Sequence, residues 1–198
     1  MSIYKLKSRF QNILRPVTQS LARLGVTANQ ITILAMLLSC VVGGVIYLQT
    51  YWGLVILPIF LFVRMALNAI DGMLAREHDM QSKLGAILNE MGDVVSDTAL
   101  YLPFMWVSGF SPFMVVVIAI LAIMSEMIGV VAVQIGASRR YDGPMGKSDR
   151  AFVFGLLAIL VVFDVLSQNW IFGILVAIVV LLVWTIFNRA YHALKECK

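Results

Sequence analysis

Residues 53–75 form the run GLVILPIFLFVRMALNAIDGMLA, in which Arg64 and Asp71 are the only charged side chains. The run is long enough for one helix to cross a bilayer core, which needs about 20 mostly apolar residues. Five further apolar runs lie along the 198-residue chain, at 31–49, 84–108, 112–136, 151–167 and 170–193. The sequence therefore predicts an all-α integral membrane protein with six transmembrane helices.

The overall composition supports a membrane protein and disfavours two other classes. Hydrophobic residues make up 61% of the chain and charged residues 13%, whereas soluble domains average about 45–50% and about 25%. A chain of this size cannot bury such a surplus in one soluble core. The net charge is only +4, and the basic residues lie between apolar runs instead of forming a stripe, so we expect no nucleic-acid partner.

The basic residues concentrate on one side of the predicted membrane. They precede the first run, follow the second and fourth runs, and close the chain: Lys5, Lys7, Arg9, Arg15, Arg23; Arg76, Lys83; Arg139, Arg140, Lys147, Arg150; Arg189, Lys195, Lys198. The three remaining short loops contain no Lys or Arg. Positive residues favour the cytoplasmic side, so the prediction is a multi-pass protein of the cell inner membrane with both termini cytoplasmic.

Residues 1–26 are predicted to form an amphipathic helix on the cytoplasmic leaflet, followed by a six-helix transmembrane domain over residues 27–198. Apolar side chains recur there at helical spacing with basic residues between them: Ile3, Leu6, Phe10, Ile13, Leu14, Val17, Leu21 and Leu24. Such a helix binds the membrane surface through its apolar face and through anionic lipid. Membrane lipid is therefore an expected partner.

Acidic and amide side chains lie inside two neighbouring apolar runs. Asn68 and Asp71 share a face of the second predicted helix, while Asn89, Asp93 and Asp97 share a face of the third. Ionisable residues inside a membrane are costly and are candidates for function. Because the two helices meet at the cytoplasmic side, the two faces are expected to form one acidic pocket.

Hard oxygen ligands of this kind select Mg²⁺, Mn²⁺ or Ca²⁺. Gly72 and Gly85 leave room beside the backbone, and the guanidinium of Arg76 suits a phosphate group. The residues therefore indicate a site for a divalent cation and a diphosphate. A buried polar network that only joins helices, or a proton or ion pathway, remains an alternative at this point.

The spacing of these residues matches a known signature. The pattern Asn68-x-x-Asp71-Gly72-x-x-Ala75-Arg76, eight residues, then Gly85-x-x-x-Asn89-x-x-x-Asp93 resembles the motif D-x-x-D-G-x-x-A-R-x8-G-x-x-x-D-x-x-x-D of the CDP-alcohol phosphotransferases. All fixed positions agree except two, where Asn replaces Asp. The resemblance extends over essentially the whole chain.

The resemblance implies an enzyme that moves a substituted phosphoryl group from a CDP-alcohol to a hydroxyl and releases CMP. By position, the ligands of one or two divalent ions would be Asn68, Asp71, Asn89 and Asp93. Asp93 would also be the general base, and the residues around the cytidine and diphosphate would be Gly72, Ala75, Arg76 and Gly85. The resemblance further implies a homodimer.

The two Asn residues remove two negative charges from this site. Three outcomes are then open: binding of one ion instead of two, weaker binding of the metal, or loss of activity. We hypothesise that Asp71, Asp93 and Asp97 form the carboxylate core, with Asp97 sharing the catalytic role of Asp93. Glu90 is a second acid that could compensate. The alternative for Asp97 is an ion pair with Arg64.

The segment between the fourth and fifth runs contains four candidates for binding an acceptor phosphate, as the resemblance implies: Arg139, Lys147, Ser148 and Arg150. The alternative is that these side chains only set the orientation of the protein in the membrane.

The favoured function is phospholipid biosynthesis, with transfer of a phosphatidyl group from CDP-diacylglycerol to a small alcohol, phosphorylated or not. One alternative is a soluble CDP-alcohol donor with a lipid acceptor. Others are a catalytically impaired CDP-lipid-binding or scaffold subunit, and a cation or proton transporter.

Overall fold

The computed structural model describes the backbone of residues 3–197 and the side chains of residues 10–197. Within these residues the chain forms seven α-helices and no strand. The helices are α1 (Ile3–Arg23), α2 (Ala28–Leu48), α3 (Thr50–Glu77), α4 (Lys83–Tyr101), α5 (Pro112–Gln134), α6 (Lys147–Val162) and α7 (Gln168–Glu196). A short 3-10 helix, Leu102–Trp106, extends α4. The prediction of an all-α protein is confirmed.

Side-chain caps explain where several helices begin. Thr27 accepts a hydrogen bond from the backbone N–H of Gln30, whose side chain accepts one from the N–H of Thr27. Ser82 accepts a hydrogen bond from the N–H of Gly85 at the start of α4. Such caps satisfy N–H groups that have no partner inside the helix. The two caps thereby define where α2 and α4 begin.

Four helices of the described chain, α2, α3, α5 and α7, are long and apolar enough to cross a membrane. They correspond to four of the six predicted spans. The other two predicted spans also form helices, but α6 has only 16 residues and α4 contains Glu90, Asp93 and Asp97. Whether α4 and α6 cross the bilayer stays a prediction.

Several boundaries differ from the predicted ones. The break between the first two spans is a single residue, Gln49, because α3 already begins at Thr50. The third predicted span, 84–108, is divided where α4 gives way to the 3-10 helix at Leu102. The helix α6 begins at Lys147, four residues before the predicted run, so Lys147 and Arg150 lie in its first turn, whereas Arg139 and Arg140 lie in the loop before it.

The helices pack in a bundle in which α2 contacts α3 and α4, α3 contacts α6, and α5 contacts α7. Gly43 permits the close approach of α2 and α4, since a Cβ there would lie 2.0 Å from the carbonyl oxygen of Ala99. The core around Leu57, Phe104 and Phe154 joins these helices and includes no described side chain of α1. This packing brings α3 and α4, which carry the signature residues, together against α2 and places α6 against α3.

The helix α1 lies against α3, where Thr18 is fully buried and Arg15 pairs with Glu77 at 3.0 Å. Ile13 and Val17 are exposed apolar residues on α1, and Leu24 is one just after its end. Some side chains named in the prediction for this segment lie outside the described residues: Ile3, Lys5, Leu6, Lys7 and Arg9. At the other end of the chain, Lys198 also lies outside the described residues. The helix itself is observed, and its position on a membrane surface stays a prediction.

Candidate active site

Asp71 on α3 is held by a hydroxyl from α2. Thr32 Oγ1 donates a hydrogen bond of 2.9 Å to Asp71 Oδ2, and Asp71 is 6% exposed. Arg64, which lies two helical turns before Asp71 on the same face of α3, is 3.7 Å from Asp93 on α4. The faces of α3 and α4 that carry the signature acids are therefore turned towards each other, and a cation shared by Asp71 and Asp93 stays a prediction.

Asp93 on α4 contacts two cationic side chains. The ammonium group of Lys147, in the first turn of α6, forms an ion pair with Asp93 Oδ1. Arg64 on α3 lies 3.7 Å from the same oxygen. Asp93 is therefore already neutralised by the protein's own residues at the position where the resemblance implies a metal ligand and general base.

Asp97, one turn further along α4, has both carboxylate oxygens occupied by arginines. Arg64 Nη1 donates to Oδ1 at 2.6 Å, and Arg150 donates to Oδ2 from Nε at 3.0 Å and from Nη2 at 2.8 Å. Asp97 is 4% exposed and Arg150 1%. The ion pair with Arg64 that the sequence left as an alternative is present. The metal and catalytic roles of Asp97 stay untested, and these contacts weigh against them.

Glu126 on α5 lies at the centre of three arginines. Its oxygens are 3.0 Å from Arg150, 3.0 Å from Arg139 and 3.3 Å from Arg189. Buried charges require such partners, because an unpaired ion in this environment is very costly. Glu126 thus joins α5, the loop between α5 and α6, α6 and α7 in one polar network.

Glu90 accepts two hydrogen bonds from Arg139, at 2.9 and 2.7 Å. Burial alone would lower the pKa of Arg139, but these bonds and the contact with Glu126 raise that pKa above its ordinary value. The guanidinium therefore stays charged. Arg139 and Arg150, two of the four predicted ligands of an acceptor phosphate, are both bound to carboxylates of the protein.

The two Asn side chains of the signature lie in a different environment from that of its two acids. Asn68 is half-buried and Asn89 is exposed, and neither makes a side-chain hydrogen bond to the residues whose side chains are described. In the same part of the chain there is no group of three or more His, Cys, Asp or Glu side chains arranged to hold a metal ion. Asp71 and Asp93 are the two signature carboxylates.

The glycines of the signature have close polar neighbours. A Cβ on Gly72 would lie 2.9 Å from Arg76 Nη2, and one on Gly85 would lie 2.7 Å from Asn29 Oδ1. At both positions the absence of a Cβ therefore leaves space next to a polar side chain. Ala75 packs instead against the apolar cluster of α1, α2 and α3 around Leu74.

A cavity of about 450 Å³ opens between α3 and α6 next to these residues. Its walls are largely apolar, and its polar lining is formed by Arg64, Asn68, Lys147 and Ser148. Lys147 thus contacts Asp93 and also faces the cavity. Of the four predicted phosphate ligands, Lys147 and Ser148 are the two that line this space.

Sequence reasoning missed three of these contacts. The ion pair between Lys147 and Asp93, the hydrogen bond of Thr32 and the position of Arg189 beside Glu126 were not predicted. A signal existed for Glu126, since a charge in an apolar run must find a partner. The sequence did not identify the partner, because the arginines are 13 to 63 positions away along the chain.

Known proteins share both the sequence and the fold of this chain. Residues 25–186 match the family model of the CDP-alcohol phosphatidyltransferases. The inner membrane protein YnbA of Escherichia coli (strain K12) is 44% identical over 195 residues, which cover 98% of this chain and 97% of that protein. A phosphatidylinositol phosphate synthase of Mycolicibacterium smegmatis is 28% identical over 158 residues, covering 76% of this chain and 69% of that protein.

In fold, the chain is similar to the crystal structure of Mycobacterium tuberculosis phosphatidylinositol phosphate synthase (PgsA1) with CDP-DAG bound. The TM-score is 0.68 at 19% identity, with 94% of each chain covered. The chain belongs to the CDP-alcohol phosphatidyltransferase family. It is accordingly a membrane-embedded transferase of phospholipid biosynthesis, and the resemblance drawn from the signature is confirmed.

Proposed function

We propose that the protein transfers a phosphatidyl group from CDP-diacylglycerol to the hydroxyl of a small alcohol, with release of CMP. The observation that carries the proposal is the cavity between α3 and α6. Its apolar walls suit an acyl chain, while its polar lining includes Asn68 of the signature and Lys147, which contacts Asp93. A relative of the same fold is described with CDP-DAG bound, which supports a CDP-lipid donor.

The residues of the site suit a divalent cation. Members of the family generally depend on such an ion, and carboxylate and amide oxygens are ligands that Mg²⁺, Mn²⁺ and Ca²⁺ accept. The ligands would be Asp71 and Asp93, with the amide oxygens of Asn68 and Asn89. When bound, the ion would polarise the phosphoryl oxygens and neutralise the leaving CMP.

The chain's own side chains would perform the remaining work. Asp93 would take the proton of the attacking hydroxyl as the oxygen–phosphorus bond to the acceptor forms and the bond to CMP breaks. Arg76, whose guanidinium lies over Gly72, would hold the diphosphate. Thr32 would orient Asp71 through its hydrogen bond. Asp97 would act through the arginines it binds rather than as a ligand.

The acceptor would meet the protein at Lys147 and Ser148, since Arg139 and Arg150 are bound to Glu90, Glu126 and Asp97. Whether that acceptor carries a phosphate is testable by comparing an alcohol with its phosphate ester. The relative from Mycolicibacterium smegmatis is named a phosphatidylinositol phosphate synthase, so inositol and inositol phosphate are the first pair to compare.

The proposed setting is the inner membrane, with α4 and α6 completing six spans and both termini cytoplasmic. The basic residues of the loops and the name of the Escherichia coli relative support this topology. Exposed Ile13 and Val17 on α1 and Leu24 just after it suit a helix on the cytoplasmic leaflet. Single cysteines introduced into the two basic loops, residues 78–82 and 135–146, would be labelled from the cytoplasmic side only. A crosslinking assay would test the proposed homodimer.

The test of the activity is CMP release by the purified protein in lipid nanodiscs, with CDP-diacylglycerol, Mg²⁺ and each candidate acceptor. Asp71→Asn should abolish CMP release, whereas Asp164→Asn, an exposed residue outside the site, should not change it. CDP-choline in place of the CDP-lipid tests the soluble donor. Binding of CDP-diacylglycerol without CMP release for any acceptor would instead support a catalytically impaired binding subunit, which the two Asn residues favour.

A further inference from the structure

The signature site contains fewer negative charges than its motif would give and an extra positive one. Asn68 and Asn89 replace two acids, so Asp71 and Asp93 supply two negative charges. Lys147 adds an ammonium group in contact with Asp93. We propose that the site holds a single divalent cation and that the ammonium group of Lys147 takes the place of a second one.

The balance of charges in the site supports a single ion. The diphosphate of a CDP-alcohol carries two negative charges, which with the two aspartates makes four. One divalent ion, Lys147 and Arg76 supply four positive charges, and the site is neutral. A second divalent ion would leave it with two excess positive charges. Unbalanced charge in a partly buried site is costly, so the balanced arrangement is favoured.

The neighbouring charged groups make a second divalent ion less favourable still, because four arginines, Arg64, Arg139, Arg150 and Arg189, face three carboxylates, those of Glu90, Asp97 and Glu126. Asp97 is bound by Arg64 and Arg150, and Glu90 is bound by Arg139. Their carboxylates are thus not available as ligands for another cation. The two amide oxygens remain, and an amide binds a divalent cation more weakly than a carboxylate does because it carries no net charge.

Lys147 is also positioned to act as a fixed cation. It lies in the first turn of α6, where the side chain of Asp149 accepts a hydrogen bond of 2.9 Å from the N–H of Gly146. Its side chain is 29% exposed and lines the cavity between α3 and α6. Its ammonium group can therefore contact Asp93 and a phosphate in the cavity together.

This inference deepens the proposed function, since it concerns the same site, and it makes a separate prediction about metal binding. Because Lys147 and the metal ion compete for Asp93, removing the ammonium should tighten metal binding. We expect Lys147→Met to increase the affinity for Mn²⁺ by about tenfold. Lys147→Arg keeps the charge and should bind Mn²⁺ like the unaltered protein.

The experiment measures Mn²⁺ binding to the purified full chain by electron paramagnetic resonance, in nanodiscs that contain CDP-diacylglycerol and no acceptor alcohol, and subtracts the binding to the same nanodiscs without protein. The unaltered protein should bind one Mn²⁺ per chain, and the triple variant Asn68→Asp, Asn89→Asp, Lys147→Met should bind two. Lys195→Met, an exposed residue at the end of α7, is the control and should change nothing. If the triple variant does not fold, the comparison of Lys147→Met with Lys147→Arg still tests the inference.

Binding of two Mn²⁺ ions or none by the unaltered protein would overturn the inference, as would equal affinities in Lys147→Met and Lys147→Arg. CMP release is measured separately on the same samples. A protein that binds one Mn²⁺ with the expected shift but releases no CMP would retain this inference and contradict the proposed function.

Discussion

Replacing Asp97 by Asn tests whether this acid is structural. The change keeps the shape of the side chain and removes the charge that faces Arg64 and Arg150. All three side chains are nearly inaccessible to solvent. Breaking a buried ion pair by removing one partner costs about 3–5 kcal/mol, because the other charge stays buried without compensation.

The contacts of each arginine refine this value. Arg150 keeps Glu126 at 3.0 Å and the carbonyl oxygen of Met145 at 3.2 Å. Arg64 keeps only the more distant Asp93 carboxylate, at 3.7 Å, and a backbone contact. The expected loss in the free energy of unfolding is therefore about 3 kcal/mol, mostly from Arg64. The double variant Asp97→Asn, Arg64→Met should recover part of this loss.

The assay is unfolding in mixed micelles, followed by the fluorescence of the four tryptophans. Glu90→Gln is the matched control, because Arg139 keeps Glu126 when Glu90 loses its charge. We expect a loss of about 1 kcal/mol for this control, because the pair is only partly buried and Arg139 keeps a second carboxylate. An Asp97→Asn protein as stable as the unaltered one, with weakened Mn²⁺ binding, would refute the structural role and favour a metal-binding Asp97.

Three further predictions concern packing, a buried hydroxyl and pH. Gly43→Ala should lower the free energy of unfolding by about 2 kcal/mol, because its Cβ would collide with α4, whereas Gly44→Ala, with open space around it, should be nearly neutral in the same micelle assay. Tyr101→Phe should leave stability unchanged or raise it by about 1 kcal/mol, since the hydroxyl is buried with no hydrogen-bond partner among the described residues; a clear loss in thermal unfolding would contradict this. Burial alone would raise the pKa of Asp142, but the hydrogen bond and charge of Arg140 hold it below the ordinary value. The stabilisation from this carboxylate is therefore complete above about pH 4 and is lost as the pH falls through the lowered pKa of Asp142. Between pH 5 and pH 3 the melting temperature of Asp142→Asn should therefore fall less than that of the unaltered protein. Equal falls in the two proteins would contradict the ion pair between Asp142 and Arg140.

Much of the fold could be predicted from the sequence. Apolar runs of about 20 residues require backbone hydrogen bonds within the run, which only a helix provides in a membrane. All six predicted runs form helices, and four are long and apolar enough to span. The boundaries were less predictable: the start of α6 at Lys147 depends on the bond between Gly146 and Asp149, and the chain's polarity alone does not reveal it.

The candidate site was predictable as a face but not as a set of contacts. Helical spacing aligned Asn68 with Asp71 and Asn89 with Asp93, and the spacing of the signature identified the family. The same spacing grouped Asp97 with these residues, because helical periodicity indicates only from which side of the helix a side chain projects. It does not report which neighbour a side chain meets, and Asp97 meets Arg64 and Arg150.

The sequence by itself determined the membrane class, the helical segments and the signature, because these follow from composition and local periodicity. The tertiary structure decided how the charges pair. Lys147 contacts Asp93 from 54 positions away, and Arg189 contacts Glu126 from 63 positions away. In a medium of low polarity each buried charge must find an opposite one, and only the packing of α3 to α7 determines which partners come within reach.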